Sequence, residues 1–268
     1  MLVKPSQPYE MSTIFPRWVR IPLNEFTSSG SMAIMARFQR WKWIIMTTAL
    51  TLISIAIFTV NMTSSSMSFA TSADVGTKVK HLGQKAPQLD KHVLKLALDA
   101  YKKAAKSGAV KKPVLTVIDY SLPSSRQRMW IFDVNRERLL YNTYVAHGQN
   151  SGMTTPTHFS NRTSSKETSL GTYVTRDTYI GSKGYSLNLQ GLEKGFNDNA
   201  YNRRVVIHGA WYVEPDFIKR SGRAGRSWGC PSMAKTLAKP VINTIKGGSV
   251  VFAYYPDRNY LSHSNFVA

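Results

Sequence analysis

The chain has 268 residues, with 35 Lys plus Arg against 15 Asp plus Glu and a formal net charge of +20. Its single cysteine excludes an internal disulfide, and with it a small stapled secreted scaffold. It also excludes a cysteine-based zinc site without several histidines close by. Residues 1–70 hold six basic and two acidic residues, so +16 of the charge lies on residues 71–268. Such an excess points to a polyanionic partner: nucleic acid, an anionic membrane surface, or an anionic cell wall.

Taken in order, residues 1–42 read as a disordered, cytoplasmic N-terminal segment, polar to mixed and carrying Pro5, Pro8, Pro16 and Pro22. Trp43 to Val60 is an uncharged run of 18 residues behind Arg37, Arg40 and Lys42. Residues 43–70 are therefore either a membrane anchor through residues 43–60 or a secretory signal peptide, with Ser68-Phe69-Ala70 as the cleavage site. The basic flank directs the C-terminal side across the membrane. The expected location is periplasmic, either secreted across the inner membrane or anchored in it.

Residues 71–88 read as a linker. From Asp90 to Ser107 the spacing of Val93, Leu94, Ala97, Leu98 and Tyr101 predicts an amphipathic helix, with Asp90 as N-cap and Gly108 as the stop. After Pro113 the pattern becomes strand-like: 114–120, 127–134, 138–146, 172–179, 185–189, 204–208 and 249–255 are rich in β-branched and aromatic residues. Residues 147–170 form a long polar loop, of the kind that is often functional. A short helix is expected near Pro240–Lys246. Residues 89–258 form one mainly β domain, and 259–268 a tail.

The chemistry concentrates at Gly225-Arg226-Ser227-Trp228-Gly229-Cys230-Pro231, which holds the only cysteine. Ile207-His208-Gly209-Ala210 lies upstream, with His208 and Cys230 separated by 22 residues. A thiol becomes a useful nucleophile when a base accepts its proton or its pKa is lowered. His208 is the expected base. Pro231 suits the first turn of a helix, which would put Cys230 at a helix N-terminus. Arg223 and Arg226 add positive charge, and the amides of Gly229 and Cys230 are candidates for an oxyanion hole. The alternative is a buried structural cysteine, against which the polar, glycine-flanked setting argues. His147 and the pair Ser160 and Asn161 are candidate substrate contacts. Histidines 147, 158 and 208 lack the spacing and acidic partner of a metal site, so no metal or other cofactor is expected. The basic residues are scattered and carry no nucleic-acid recognition motif, so nucleic acid is not an expected partner.

These residues resemble the murein L,D-transpeptidase catalytic domain family (YkuD-like). The likeness runs from Leu115 to Tyr255 and takes in Ile118-Asp119-Tyr120, Val145-Ala146-His147-Gly148, Phe159-Ser160-Asn161, Ser169-Leu170-Gly171, Gly191-Leu192-Glu193 and Gly247-Gly248, besides the two blocks above. The resemblance implies a β-sandwich or open barrel, with an amphipathic helix before it and a short helix after the cysteine. It implies a cysteine acyltransferase acting on peptidoglycan stem peptides through a thioester, resolved by an amine of a stem peptide or lipoprotein or by water. An L,D-carboxypeptidase and an inactive wall-binding module are the alternatives. Carried over, Cys230 is the nucleophile and His208 the proton shuttle. Ser227, Trp228, Gly229 and Gly209 support the pocket, and Arg226, His147, Ser160 and Asn161 meet the substrate. The commoner family motif reads Ser-His-Gly-Cys-x-Arg. Here Trp228 stands in place of its histidine and Ser232 in place of its arginine, with Arg226 or Arg223 expected to replace the lost charge.

Overall fold

Eight runs of β-branched and aromatic residues pair into one mixed sheet. A computed structural model describes residues 72–267, so the expected N-terminal segment and the signal or anchor of residues 43–70 lie outside the described residues. The strands are β1 (Val114–Asp119), β2 (Met129–Asp133), β3 (Arg138–Thr143), β4 (Gly171–Gly181), β5 (Gly184–Gly191), β6 (Val206–Ala210), β7 (Ser232–Ala234) and β8 (Val250–Tyr254), in the order β3-β2-β1-β8-β4-β5-β6-β7. β1, β2 and β8 are buried at every residue, as strands covered on both faces must be. β1–β8 and β6–β7 pair in parallel, whereas the other neighbours are antiparallel. This sheet, with helices before it and after the cysteine, is the β fold class that the resemblance implies.

Parallel neighbours cannot be joined by a tight turn and need a long crossover. Between β6 and β7 that crossover is residues 211–231, and it carries the thiol. It contains a 3-10 turn (Trp211–Val213) and the helix α3 (Pro215–Ser221), neither legible in the sequence. Ala146, Ala210, Val213, Ile218 and Ala224 form a small apolar cluster of their own beneath it.

Two helices precede the sheet, α1 (Ser72–Lys85) and α2 (Lys91–Lys106). α2 begins where expected: the Asp90 carboxylate accepts from the amides of His92 (2.7 Å) and Val93 (3.2 Å), and Gly108 stops it in a left-handed conformation. The linker expected at 71–88 is instead mostly α1. Val75, Val79, Leu82 and Ala86 recur at helical spacing and join the main core. Each such valine or leucine, fully buried, contributes roughly 1.5–3 kcal/mol. Gly76, Gly83 and three lysines obscure that stripe in the sequence. At its far side, Lys78 and His81 reach Glu137 at 3.4 and 2.5 Å.

The helix after the cysteine is α4 (Lys235–Ile245), longer than expected and with Pro240 inside it. β6 starts two residues after the expected 204, because Arg204 turns the chain at φ 53° before it, and it ends two residues after the expected 208. The expected tail also packs. The helix α5 (Arg258–His263) buries Tyr260, whose hydroxyl donates to Glu193 Oε1 at 3.1 Å. Ser264 Oγ donates to Glu193 Oε2 at 2.5 Å, and the Thr172 amide to Oε1 at 2.6 Å. Glu193 is thus a buried carboxylate whose oxygens are supplied by β4 and by the C-terminus together.

Arg128 and His147 pin the start of the polar loop from inside. Both are fully buried. Arg128 donates to the Val145 carbonyl (2.9 Å), the Leu122 carbonyl (2.7 Å) and His147 Nδ1 (2.7 Å). A guanidinium can only donate, so Nδ1 is the bare nitrogen and Nε2 carries the hydrogen that it gives to the Gly152 carbonyl at 3.2 Å. Burial first, and then the charge of Arg128, push the His147 pKa down to about 3. His147 is therefore not a substrate contact as expected, since its ring has no exposed surface.

Two consequences are measurable. Tyr260→Phe should cost about 1.5–3 kcal/mol, read as a lower urea midpoint; an unchanged midpoint would mean that the tail is not anchored through Glu193. His147 folds neutral but binds a proton when unfolded, so stability should be full above pH 6.5 and fall as the pH drops towards 3. His147→Gln should flatten that fall in a pH series of melting temperatures.

Candidate active site

The parallel register His208↔Ser232 sets β6 beside β7 and brings Cys230, two residues before Ser232, alongside the start of β6. Cys230 is partly exposed. Its sulfur accepts from the Val206 amide at 3.5 Å and lies 3.8 Å from the Arg204 carbonyl. Cys230 does not begin a helix, as Pro231 suggested, because residues 232–234 are strand and α4 starts only at Lys235. With no helix N-terminus to favour the thiolate, burial pushes the thiol pKa up, against the Val206 hydrogen bond and the charges of Arg203 and Lys183.

His208 is buried. Its Nδ1 lies 3.0 Å from the Gly209 carbonyl, which can only accept, so Nδ1 carries the hydrogen. Nε2 is then the bare nitrogen, and it faces Ser232 Oγ at 3.2 Å. Burial lowers the pKa of His208, against the Gly209 hydrogen bond, and Lys183 adds to the lowering. The ring is thus a neutral base with its lone pair on the β7 side. Ser232 Oγ also lies 3.2 Å from the Tyr212 hydroxyl and 3.4 Å from the Cys230 carbonyl. Sequence reasoning missed both Ser232 and Tyr212 as part of the site. The signal for Ser232 is its position two residues after the cysteine, on the same side of the chain in an extended segment.

The loop before the cysteine is closed by Ser227. Its hydroxyl donates to the Cys230 carbonyl at 2.7 Å and accepts from the Gly229 amide at 3.1 Å. Its backbone bonds the His147 carbonyl and the Gln149 amide, at 2.9 and 2.8 Å. Ser227 therefore holds the loop that carries Cys230. The Gly229 amide, however, is engaged by Ser227 rather than open to an oxyanion, which leaves the Cys230 amide as the candidate donor. Gly229 is required for a different reason. Its φ is +116°, and a Cβ there would stand 2.6 Å from the Glu167 carbonyl oxygen. Gly209 supplies the carbonyl that orients His208 and lets α4 approach, with Lys235 Cα 3.0 Å from where a Cβ would be.

Trp228, two residues before Cys230 in the chain, is 73% exposed, and Lys166 Nζ stands over one face of its ring, 5.0 Å from the centroid. Arg226 does not replace the missing family arginine: it donates to the Gln149 carbonyl at 2.8 Å and braces that loop. Arg223 bonds the Ala224 carbonyl. The positive charge felt at the sulfur comes from Arg203 and Lys183, and Arg203 is also the brace of the facing loop. Its guanidinium holds the polar loop through the Ser160 carbonyl (2.7 Å), Ser169 Oγ (2.5 Å), Ser165 Oγ (3.1 Å) and the Glu167 carbonyl (2.7 Å). Asn161, expected at the substrate, is committed to Asp198 and Asn199. Ser160 accepts from the Arg162 amide and gives its carbonyl to Arg203. Both shape the loop rather than the thiol's surroundings.

A model of the L,D-transpeptidase catalytic domain matches residues 85–254. No curated protein matches. Among solved structures, the chain is similar to an L,D-transpeptidase from Mycobacterium smegmatis, at 14% identity over 53% of this chain and 59% of that one, with a TM-score of 0.32. It is similar to an L,D-transpeptidase from Stackebrandtia nassauensis, at 13% identity over 67% and 77%, with a TM-score of 0.32. A helical cell shape determining protein from Campylobacter jejuni gives 8% identity over 61% and 57%, with a TM-score of 0.37. The chain thus spans less than two thirds of the Mycobacterium smegmatis protein. With the family model covering more than half of the sequence, the chain belongs to the L,D-transpeptidase catalytic domain family.

Proposed function

We propose that the protein is a cysteine acyltransferase that acts on peptidoglycan stem peptides through a thioester on Cys230. The observation that carries this reading is the pairing of a partly exposed thiol with a histidine on the neighbouring strand, its Nε2 bare and turned towards β7. The cysteine starts as a thiol rather than a thiolate and the histidine starts neutral, so the pair works by general base catalysis and not as a preformed ion pair. Cys230 turns away from the Arg204 carbonyl and gives its proton to His208 Nε2 as the sulfur attacks the substrate carbonyl. The Cys230 amide donates to the developing oxyanion, and Arg203 adds positive charge. The amine leaving group takes the proton back from His208, and the acyl group remains on sulfur. An amine then attacks the thioester carbonyl. The C–N bond forms, the C–S bond breaks, and the amine proton passes through the same nitrogen to the departing sulfur, which restores the neutral thiol and histidine. The catalytic domain acts outside the cytoplasm, where its polymer substrate lies; the uncharged run 43–60 supports that placement. The net charge of +20 suits an anionic wall.

The direct test uses a disaccharide tetrapeptide with the purified protein. Release of the terminal D-Ala and formation of cross-linked dimers are expected, both lost in Cys230→Ala. Tripeptide without dimers would mean that water resolves the thioester. No D-Ala release, together with no mass increase at Cys230 after incubation with a carbapenem, would contradict the reading.

A pH–rate profile for carbapenem acylation adds a second check. The reactive form needs neutral His208, so the rate should fall on the acid side with a midpoint below 6.5, the ordinary value for histidine. A midpoint above 6.5 would show a histidine stabilised as the cation, contrary to this geometry.

A further inference from the structure

α2 presents two faces of opposite character. Val93, Leu94, Ala97, Tyr101 and Ala104 are buried where the helix packs on β1, β8 and β4. On the outer face, Lys91, Lys95, Lys102 and Lys106 follow one another at steps of four, seven and four residues. At about 100° per residue they fall within an arc of about 60°, and at about 1.5 Å per residue they run for about 22 Å. Lys91, Lys95 and Lys106 are exposed, and Lys102 is half-buried. Lys95 pairs with Asp99 at 2.8 Å, whereas Lys91, Lys102 and Lys106 have no salt bridge among the described residues. The Asp90 carboxylate at the head of the stripe is taken up by the amides that it caps. Lysines four apart on a helix repel one another, so the stripe opposes the helix that carries it, and the buried face offsets that cost. The catalytic pair lies elsewhere, at the β6–β7 edge of the sheet, with β5 between β6 and the strands under α2.

We infer that the outer face of α2 rests on the anionic phospholipid surface of a membrane. The inference goes beyond the acyl-transfer reading and does not depend on it. Four cations in a straight line suit a flat, continuous layer of negative charge better than the dispersed carboxylates of a polymer. The chain also leads from this helix pair to an apolar stretch of membrane type. Residues 61–71 alone lie between the uncharged run 43–60 and the start of α1, and so short a segment spans at most about 40 Å. The apolar residues of α2 are committed to the core, so the helix cannot bury them between acyl chains as an interfacial helix does. Attachment is then electrostatic. Each unpaired lysine near an anionic surface strengthens it about fivefold, and salt weakens it.

Lysine reactivity in the full chain reads this contact residue by residue. The protein is placed in vesicles of phosphatidylcholine alone, or of phosphatidylcholine mixed with phosphatidylglycerol. It is then acetylated briefly, and each lysine's modification is read by mass spectrometry. Phosphatidylglycerol should slow acetylation of Lys91, Lys102 and Lys106 roughly fivefold, and high salt should restore it. Lys219 on α3 and Lys239 on α4, both exposed, should react alike in the two lipids. In K91Q/K102Q/K106Q, Lys95 should react in the mixed vesicles as fast as in phosphatidylcholine alone. The melting temperature of that variant should not fall, because the substitutions relieve like-charge repulsion on a solvent-facing surface. Equal acetylation of the stripe in both lipids would overturn the inference. So would equal protection of Lys219 and Lys239, which would show general screening and not one docked face. Protection of the stripe by purified peptidoglycan sacculi, without protection by the anionic vesicles, would assign the face to the wall and overturn it as well.

Discussion

The parallel pairing of β6 with β7 is the constraint on which the site depends. Antiparallel neighbours at this edge could be joined by a two-residue turn, with no room for a catalytic loop. The parallel pair forces residues 211–231 to cross over and return in register, with Ser232 opposite His208. The return stroke is where Cys230 lies. Everything around it serves to hold that stroke in place: Ser227 bonds it to itself and to His147, Gly229 passes within 2.6 Å of the Glu167 carbonyl at the position of a side chain, and Arg203 fixes the facing loop.

The electrostatics follow from this placement. A cysteine on a strand-like return has no helix dipole to lower its pKa, and burial raises it. The histidine, buried and hydrogen-bonded through Nδ1, is pushed the other way. Both shifts favour the uncharged pair at neutral pH. In the mechanism proposed, reactivity then depends on delivering the proton during attack, which makes the orientation of His208 by Gly209 and Ser232 more important than any stored charge. A second histidine, His147, is driven neutral by the same forces but is walled off by Arg128, and it acts as a peg for the loop. Two histidines of similar protonation thus take different roles, one turned to β7 and the other closed from solvent.

Much of this was legible in the sequence. The single cysteine, the His208 block and the β-branched and aromatic runs carried the family, and the structure sets the two blocks side by side. The Asp90 cap and the Gly108 stop marked α2, because those signals are local. What failed was non-local. Pro231 reads as a helix start from local propensity, but the sheet recruits residues 232–234 first. The stripe of α1 is diluted by Gly76 and Gly83, and only the core beneath it makes it a helix. Arg203 rather than Arg226 supplies the charge near sulfur, since the pairing depends on where the 160–169 loop folds back. Asn161 and His147 looked like site residues because they stand in polar loop sequence, yet their partners lie up to 38 residues away.

Cys230 and His208 rest as an uncharged thiol and base. The most direct measurement is a thiolate titration of the resting full chain by absorbance at about 240 nm, with Cys230→Ser subtracted. Thiolate should appear only above the ordinary thiol range of about 8.5, and His208→Gln should leave the curve nearly unchanged. Thiolate already present at pH 7 and abolished by His208→Gln would show a preformed ion pair and contradict it.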